Sequence, residues 1–327
     1  MHFDVFNGDA DGIFALHQLR LARPVPEAEL ITGVKRDISL LERIRTTRDA
    51  SVSTLDISLD KNRDALLALL ANNNRILYID HHYAGDIPKS ENLEHHIEPS
   101  AKTCTSMLVN SLLNNAFPGW AACGAYGDNL HEQGNQLAQM AGATEEETAI
   151  LQDIGEMFNY NGYGARIEDL HFHPAELYRA VQPHDSPLRF YDSSDIVARL
   201  KKGYKEDMAR AIDQKNLGQR GPNRVYRLPA ASWSRRIAGV FSNLKAREQP
   251  QGAHAIIVEN DDSTLQISVR APLSAKTGAE TLCRSFPTGG GRAAAAGINH
   301  LPADMLDEFI ESFEEMFSKK DNQHSIL

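Results

Sequence analysis

Apolar and polar positions in the first part of the chain follow two different periods. Four short apolar runs are each followed by an acidic residue, and we predict that each is a β-strand: His2–Phe6, 52–55, 76–79 and 121–126. A further strand is predicted around 30–34. Helical spacing of Ile13, Leu16 and Leu19, and again over 60–72, predicts helices between the strands. This alternation predicts an α/β fold with a doubly wound, mainly parallel sheet.

Further along, the pattern predicts more helix and then a loop-rich segment. A helix is predicted over 103–113, and its polar start indicates ordinary N-capping or, as the less favoured alternative, phosphate binding. A capping box at Thr144 starts another helix. The loop-rich segment 159–190 ends the first domain. Its His171 and His173 are either metal ligands or surface histidines, and we favour the latter.

A long polar helix over about 195–216 leads into a second, smaller α/β domain. That domain is predicted to contain three strands, a helix between the first two and a last helix with an apolar stripe: 225–228, 254–259, 264–270, 232–247 and 306–317. We therefore predict a first domain, a connector and a second domain, with limits 1–190, 191–221 and 222–327. The active site is expected in the cleft between the two domains.

Two features of the second domain offer polar groups, and the second of them suits a phosphate. Ser268 and Arg270 alternate with apolar residues and share the polar face of their strand. A glycine-rich turn ends in a guanidinium and offers exposed amides beside it; its residues are Gly289, Gly290, Gly291 and Arg292. Close packing before an alanine-rich helix is the alternative explanation of these glycines.

Composition narrows the class of protein. The net charge is −10, which argues against a protein that coats long nucleic acid by electrostatics. Residues 222–300 nevertheless carry ten basic side chains against five acidic ones, which suits a small anionic substrate. The three cysteines, Cys104, Cys123 and Cys283, show no paired spacing. With no leader sequence and no spanning segment, we expect a cytoplasmic protein with no membrane partner.

The acidic residues after the predicted strands indicate a cation-binding site. Parallel strands present their carboxyl ends at one edge of the sheet, where ligands bind. That edge should gather five carboxylates and two imidazoles: Asp9, Asp11, Asp56, Asp80, Asp128, His81 and His82. Adjacent histidines at a strand end can also be merely solvated. Five crowded carboxylates, however, repel one another and need cations.

Aspartate oxygens with a single imidazole favour Mn²⁺, with Mg²⁺ as the second choice. An Asp-x-Asp pair such as Asp9 and Asp11 can send its carboxylates to different ions. Two ions about 3.5–4 Å apart would activate water for attack on phosphorus. We therefore expect hydrolytic phosphoryl transfer with two Mn²⁺ ions.

As an ordered set, these residues resemble the four motifs of the DHH phosphoesterase superfamily: Asp9-Ala10-Asp11-Gly12, Asp56, Asp80-His81-His82 and Asp128. The triple glycine resembles the signature of its associated C-terminal domain. The resemblance implies one ion on Asp9 and Asp128, another on Asp11 and His81, and a bridging Asp56. It also implies that Asp80 orients the histidines, that His82 contacts the scissile phosphate, and that Arg270 binds phosphate.

Two positions depart from the family pattern. Val5 stands where many relatives have a histidine four residues before the first aspartate, so binding of the first ion is expected to be altered, with Asn7 or water as a substitute ligand. Arg292 stands where a histidine usually follows the glycines. An arginine can still grip a phosphate and stack on a base, so we expect an altered substrate preference.

The length favours the compact members of the superfamily over a RecJ-type exonuclease, and the triple glycine argues against a family II pyrophosphatase. The chain resembles nanoRNases and pGpG hydrolases, which implies hydrolysis of pGpG or other diribonucleotides to mononucleotides in second-messenger turnover. Alternatives are 3′-phosphoadenosine 5′-phosphate as substrate, a broader nanoRNase, or a catalytically weak nucleotide-binding regulator. The resemblance is also compatible with a homodimer.

Overall fold

A computed structural model describes residues 1–318 of the chain, which divides into two compact units. The first unit is Met1–Gly203 and the second begins at Tyr204. The division falls within the predicted connector helix. The domain limits at 190 and 222 stay a prediction.

The first unit is built on a parallel sheet. Among the described residues it has five strands in the order β2-β1-β3-β4-β5, all paired in parallel. Their bounds are β1 His2–Phe6, β2 Glu29–Ile31, β3 Ser51–Leu55, β4 Arg75–Asp80 and β5 Leu93–Ile97. The predicted parallel α/β sheet is confirmed, and it places the carboxyl ends of β1, β3 and β4 side by side.

Helices surround this sheet. Their bounds are α1 Ala10–Ala22, α2 Leu59–Ala71, α3 Thr105–Leu112, α4 Pro118–Gly127, α5 His131–Met140, α6 Glu145–Gly162, α7 Pro174–Val181, α8 Pro187–Ser193 and α9 Ile196–Ile212. Phe14 packs on Trp120 and Phe158, with ring centroids 5.3 and 4.9 Å apart. Each such buried aromatic ring stabilises the fold by about 1.5–3 kcal/mol. The predicted capping box is confirmed, because the Thr144 hydroxyl accepts from the Glu147 amide at 3.2 Å.

The prediction of a strand over 121–126 is wrong, because these residues lie within α4. This helix is buried on all sides, so its sequence is apolar all round and shows no amphipathic period. A short apolar run of this kind cannot be told from a buried strand by periodicity. Its glycines allow close helix packing, since a Cβ on Gly124 would overlap the Ser106 side chain.

The prediction of a loop-rich segment over 159–190 is also wrong. The segment contains the end of α6 and the helices α7 and α8. Pro174 and Pro187, taken as signs of a loop, stand at the first turns of those helices, where proline costs no hydrogen bond.

The second unit is a mixed sheet with helices on it. Six strands among the described residues follow the order β10-β11-β9-β8-β7-β6, and only β7 and β8 are parallel. The elements are β6 Asn216–Arg220, β7 Asn223–Leu228, α10 Ser232–Glu248, β8 His254–Glu259, β9 Leu265–Arg270, α11 Ala279–Arg284, β10 Gly289–Arg292, β11 Ala295–Leu301 and α12 Leu306–Ser318. Phe309 and Phe313 of α12 are fully buried, which confirms the apolar stripe of the last helix.

The predicted glycine-rich turn is a strand. Gly289, Gly290, Gly291 and Arg292 form β10 and pair antiparallel with β11; of the four alanines that follow, Ala293 and Ala294 form the turn and Ala295 and Ala296 begin β11. Close packing and backbone conformation require glycine at two of these positions. A Cβ on Gly289 would overlap the Cys283 carbonyl oxygen, and Gly291 has a φ of 140°.

No helix within residues 1–318 has the length and apolar character needed to cross a membrane.

Candidate functional site

Three strands of the first sheet deliver acidic side chains to one edge. Asp9 follows β1 and caps α1, where its Oδ1 accepts from the Gly12 amide at 3.1 Å. Asp56 directly follows β3 with a φ of 59°, a left-handed conformation that turns its side chain away from the strand direction. Asp80 is the last residue of β4 and is fully buried. These positions follow from the parallel order of the strands.

Asp128 reaches the same edge from a helix. It caps the C-terminus of α4 and its amide donates to the Gly124 carbonyl at 3.1 Å. Its Oδ2 lies 3.4 Å from His81 Nε2. The five predicted carboxylates therefore come together, although the fourth motif is carried by a helix and not by the strand that the sequence suggested.

The two histidines after β4 face these carboxylates. His81 Nε2 lies 3.4 Å from Asp56 Oδ1 and 4.0 Å from Asp11 Oδ2. His82 Nδ1 lies 2.7 Å from Asp80 Oδ1. Two overlapping groups could each hold a metal ion, and both contain His81: Asp56, His81, His82 and Asp11, His81, Asp128.

The start of α3 binds Asp11. The backbone amides of Thr105 and Ser106 donate to the two oxygens of Asp11, each at 2.7 Å, and the Thr105 hydroxyl donates to Asp56 Oδ1 at 3.2 Å. The helix dipole favours a carboxylate at this end. The sequence indicated ordinary capping or phosphate binding at this helix start. In the structure, its amides donate to Asp11, an aspartate of the site.

Lys35 is a site residue that the sequence analysis missed. Its ammonium lies 2.5 Å from Asp9 Oδ2 and 3.3 Å from Asp128 Oδ1, and it donates to Asn159 Oδ1 at 2.8 Å. A signal was present in the sequence, because Lys35 directly follows the predicted strand 30–34 and so belongs to the same sheet edge as the aspartates.

Burial and crowding change the protonation of the cluster. Burial, with the charges of Asp11 and Asp9, raises the pKa of Asp56 well above its usual range. Burial also raises the pKa of Asp128, although Lys35 opposes this. Burial would raise the pKa of Asp9 too, but the charge and hydrogen bond of Lys35 outweigh it and lower that pKa. The cluster therefore gathers negative charge that either a proton or a further cation would neutralise.

In the second unit, the predicted substrate-binding residues form two rows across the sheet. Ala295 of β11 pairs with Arg292 on one side and Arg270 on the other. In the neighbouring row, Gly297 pairs in the same way with Gly290 and Ser268. Because paired residues and alternate residues share a face, both arginines, Ser268 and Gly290 lie on one face of the sheet.

Two of the predicted glycines point to the opposite face. Gly289 and Gly291 pair with Ile298 and Ala296, which belong to the buried core on that side. Gly290 differs from them, since a Cβ added there would meet no atom within 4 Å. Arg270 is anchored to α10, where its Nε donates to Asn243 Oδ1 at 2.7 Å.

His171 and His173 do not join the carboxylates. The Nε2 of His171 hydrogen-bonds to the Tyr160 hydroxyl at 2.9 Å, and His173 caps α7.

No family model matches the sequence, and no curated protein matches it either. Solved structures do match. The DHH domain of a member of a family of ribosomal proteins has a TM-score of 0.68 and 14% identity, over 97% of this chain and 86% of that one. The exonuclease RecJ bound to manganese has a TM-score of 0.65 and 16% identity, over 97% and 90%. This chain has the DHH fold. The pGpG-specific phosphodiesterase PggH from Vibrio cholerae shares it, with a TM-score of 0.58 and 13% identity over 97% and 99%.

The resemblance to the DHH superfamily that the motifs indicated is thus confirmed at the level of the fold. Within the DHH fold, the residues around His81 fit a divalent cation: its imidazole is shared by two groups, one with Asp56 and His82 and one with Asp11 and Asp128. The place between Asp9 and Asp128 does not fit a second ion equally well. Lys35 lies between these carboxylates, and Val5, fully buried, stands where a histidine ligand was expected.

Proposed function

We propose that the protein is a divalent-metal-dependent phosphodiesterase that hydrolyses short linear dinucleotides, pGpG first among them, to nucleoside monophosphates. The observation that carries the proposal is the cluster of His81 with Asp11, Asp56 and Asp128 at the strand edge of a DHH fold. The RecJ exonuclease and the pGpG-specific phosphodiesterase that share this fold both act on nucleotide phosphodiesters by name, which supports the reaction class.

A divalent cation bound at His81 would polarise a phosphoryl oxygen and lower the pKa of a bound water. Asp11 is held for this task by the amides at the start of α3, so its oxygens cannot rotate away. Asp80 holds the His82 ring through its 2.7 Å contact with Nδ1. This leaves the outer nitrogen of the half-exposed His82 ring to donate to the scissile phosphate.

The donor set favours Mn²⁺ at this place. Carboxylate oxygens suit Mg²⁺ and Mn²⁺ alike, whereas the imidazole of His81 shifts the preference toward the softer ion. Mg²⁺ remains the second choice, with lower activity expected at equal concentration.

The substrate class is proposed from the second unit. Arg270 and Arg292 lie two strands apart on one face, a separation of about 10 Å, and the positions between and beside them are Ala295, Gly290 and Gly297. Small residues let a ligand approach the backbone, while guanidinium groups bind phosphate in a bidentate manner. A short linear nucleotide is the ligand we propose, because its phosphates can be bound by two such guanidinium groups.

The test is hydrolysis of pGpG, pApA, a five-nucleotide RNA and 3′-phosphoadenosine 5′-phosphate with Mn²⁺, Mg²⁺ or EDTA. The double variant Asp80→Ala, His81→Ala should abolish turnover. Glu94→Ala, His96→Ala is the matched control, because this pair on β5 makes a similar contact at 3.0 Å on the exposed surface. Rapid, metal-dependent loss of pGpG alone supports the proposal, equal loss of all short RNAs indicates a nanoRNase, and preferred loss of the bisphosphate indicates a phosphatase.

A nucleotide-binding regulator is the second candidate. The observation that favours it is the pairing of Lys35 with Asp9, a carboxylate assigned by resemblance to a metal ion. Nucleotide binding by calorimetry, without turnover of any of the four substrates in Mn²⁺, would select this function and reject the enzyme.

A further inference from the structure

We propose that the Lys35 ammonium permanently replaces the metal ion expected on Asp9 and Asp128, so that the site takes one divalent cation, at His81. The inference deepens the proposed function and rests on it for its catalytic meaning. Its test is a count of bound metal, which does not depend on turnover.

The first step is position. The Lys35 Nζ lies 2.5 Å from Asp9 Oδ2 and 3.3 Å from Asp128 Oδ1. These are the two carboxylates that the family resemblance assigns to the first ion. A cation already stands where their charges converge.

The second step is coordination. An ammonium has three hydrogens to donate, and three acceptors surround this one: Asp9, Asp128 and Asn159 at 2.8 Å. The ring of Tyr163, with its centroid 5.5 Å from Nζ, lines the remaining side. Lys35 is therefore fully satisfied where it lies.

The third step is how the lysine is held. Its backbone amide donates to the Gly162 carbonyl at 2.9 Å, which ties it to the end of α6. Its own carbonyl accepts from Asn7 Nδ2 at 3.4 Å, close to Asp9 in the chain. Its side chain is 25% exposed. The backbone of Lys35 is thus fixed on both sides of the residue, and this places the start of its side chain beside Asp9.

The fourth step is what the aspartates have left to offer. The other oxygen of Asp9 accepts from the Gly12 amide at 3.1 Å, so a metal ion would have to compete with the Lys35 ammonium for Oδ2. Val5 is fully buried and offers no ligand atom. A metal ion here would have to displace Lys35 and would find one fewer imidazole. The two overlapping groups at His81 keep their carboxylates and share its single imidazole, so we assign them one ion between them.

The two cations differ in chemistry. An ammonium can neutralise a phosphate oxygen, but it offers no open coordination position that would acidify a water. Lys35 is therefore a binding and charge-balancing residue, and water activation falls to the single ion.

The experiment counts Mn²⁺ on the full-length protein without substrate, by equilibrium dialysis with elemental analysis and by electron paramagnetic resonance. Wild type should bind one Mn²⁺ per chain and show the spectrum of an isolated ion. Lys35→Ala should bind two and show spin coupling between them, because the vacated carboxylates then accept the second ion. Lys35→Arg keeps the charge and should stay at one.

Lys201→Ala is the matched control. Lys201 pairs with Asp153 at 2.6 Å, so its removal changes the net charge equally and also breaks a lysine–aspartate pair. It should bind one ion. Two ions in wild type with a coupled spectrum would overturn the proposal, and so would a folded Lys35→Ala protein that still binds one. Should Lys35→Ala not fold, the counts for wild type and Lys35→Arg decide: one ion in both supports the proposal, and two in either overturns it.

Discussion

Asp80 acts on the site through a second residue, His82. It is fully buried, its Oδ1 holds His82 Nδ1 at 2.7 Å, and its Oδ2 has no hydrogen-bond partner among residues 1–318. Burial lowers the pKa of His82, but the hydrogen bond and the charge of Asp80 outweigh burial and raise it. Asp80 therefore fixes both the orientation and the proton affinity of the ring.

We predict that Asp80→Asn lowers activity about 10–100-fold, the usual effect of removing a group that orients a site residue. The amide can keep one contact with His82 but no longer supplies a charge. The variant should fold normally by circular dichroism, and kcat should fall more than Mn²⁺ affinity. An unchanged kcat would show that His82 needs no fixed orientation.

His17 gives a prediction on pH. Its Nε2 lies 2.8 Å from the His184 carbonyl and its ring packs edge-on to Trp120. Burial lowers its pKa from 6.5 to about 4. Because the unfolded chain binds the proton first, stability is lost as pH falls below 6.5 toward 4.

At pH 5 this cost to the free energy of unfolding is about 2 kcal/mol relative to neutral pH. His17→Gln can still donate to the His184 carbonyl but has no group that titrates. Urea unfolding at pH 7.5 and pH 5 should therefore show a smaller loss of stability in His17→Gln than in wild type. Equal losses would mean that His17 titrates normally in the folded protein.

At the residue scale, the sequence located the acidic and histidine motifs because each carboxylate follows a recognisable apolar run. It did not reveal Lys35 or the α3 amides. A lone lysine looks like any solvated lysine until its partners are known, and a helix start binds whatever anion the fold brings to it. Both depend on contacts between residues far apart in sequence: Lys35 meets Asp128, and Thr105 meets Asp11.

At the scale of elements, most strands and helices were predictable from period, and two of the failures share one cause. Helix α4 is apolar on every side, and β10 is made of residues with little strand preference. In both, tertiary packing decides the local structure. Parallel pairing was predictable because strands and helices alternate.

Strand β10 offers a matched pair of substitutions. Gly289→Ala drives a Cβ into the Cys283 carbonyl oxygen, whereas the Cβ of Gly290→Ala meets nothing within 4 Å. We predict that Gly289→Ala lowers the free energy of unfolding by about 1–3 kcal/mol through overpacking. Gly290→Ala should leave it nearly unchanged, and urea unfolding of both variants measures the difference.

Activity should distinguish the same two variants in the reverse order: Gly290→Ala, which keeps its stability, is the one expected to bind substrate less well. Gly290 shares the face of Arg270 and Arg292, so Gly290→Ala should raise KM for pGpG without a change in melting temperature. An unchanged KM would indicate that a ligand does not approach this backbone.

At the scale of the whole molecule, acidic and basic side chains are concentrated in different parts of the chain. The first unit carries the carboxylate cluster at the strand edge, and residues 222–300 carry ten basic against five acidic side chains. Metal binding should therefore affect the first unit, and nucleotide binding should in addition affect the second unit.

Hydrogen exchange followed by mass spectrometry tests this division. Mn²⁺ alone should slow exchange around Asp11, Asp56 and His81, because it relieves the repulsion among buried carboxylates and stabilises the folded state by about 2.7 kcal/mol at a hundredfold excess over Kd. It should leave β9 and β10 unchanged until pGpG is added with an inactive variant. Slower exchange in β10 with metal alone would contradict the assignment.

The hydrogen bonds from the α3 amides to Asp11 also affect how quickly the protein binds a metal ion. A carboxylate fixed at 2.7 Å by two amides stands ready before any ion arrives, so loading demands little movement of the chain. The slow event is then the shedding of the ion's own hydration shell, which Mg²⁺ does reluctantly. Where Mn²⁺ and Mg²⁺ are both present, the ion that loses its hydration water faster binds first, whichever ion binds more tightly at equilibrium.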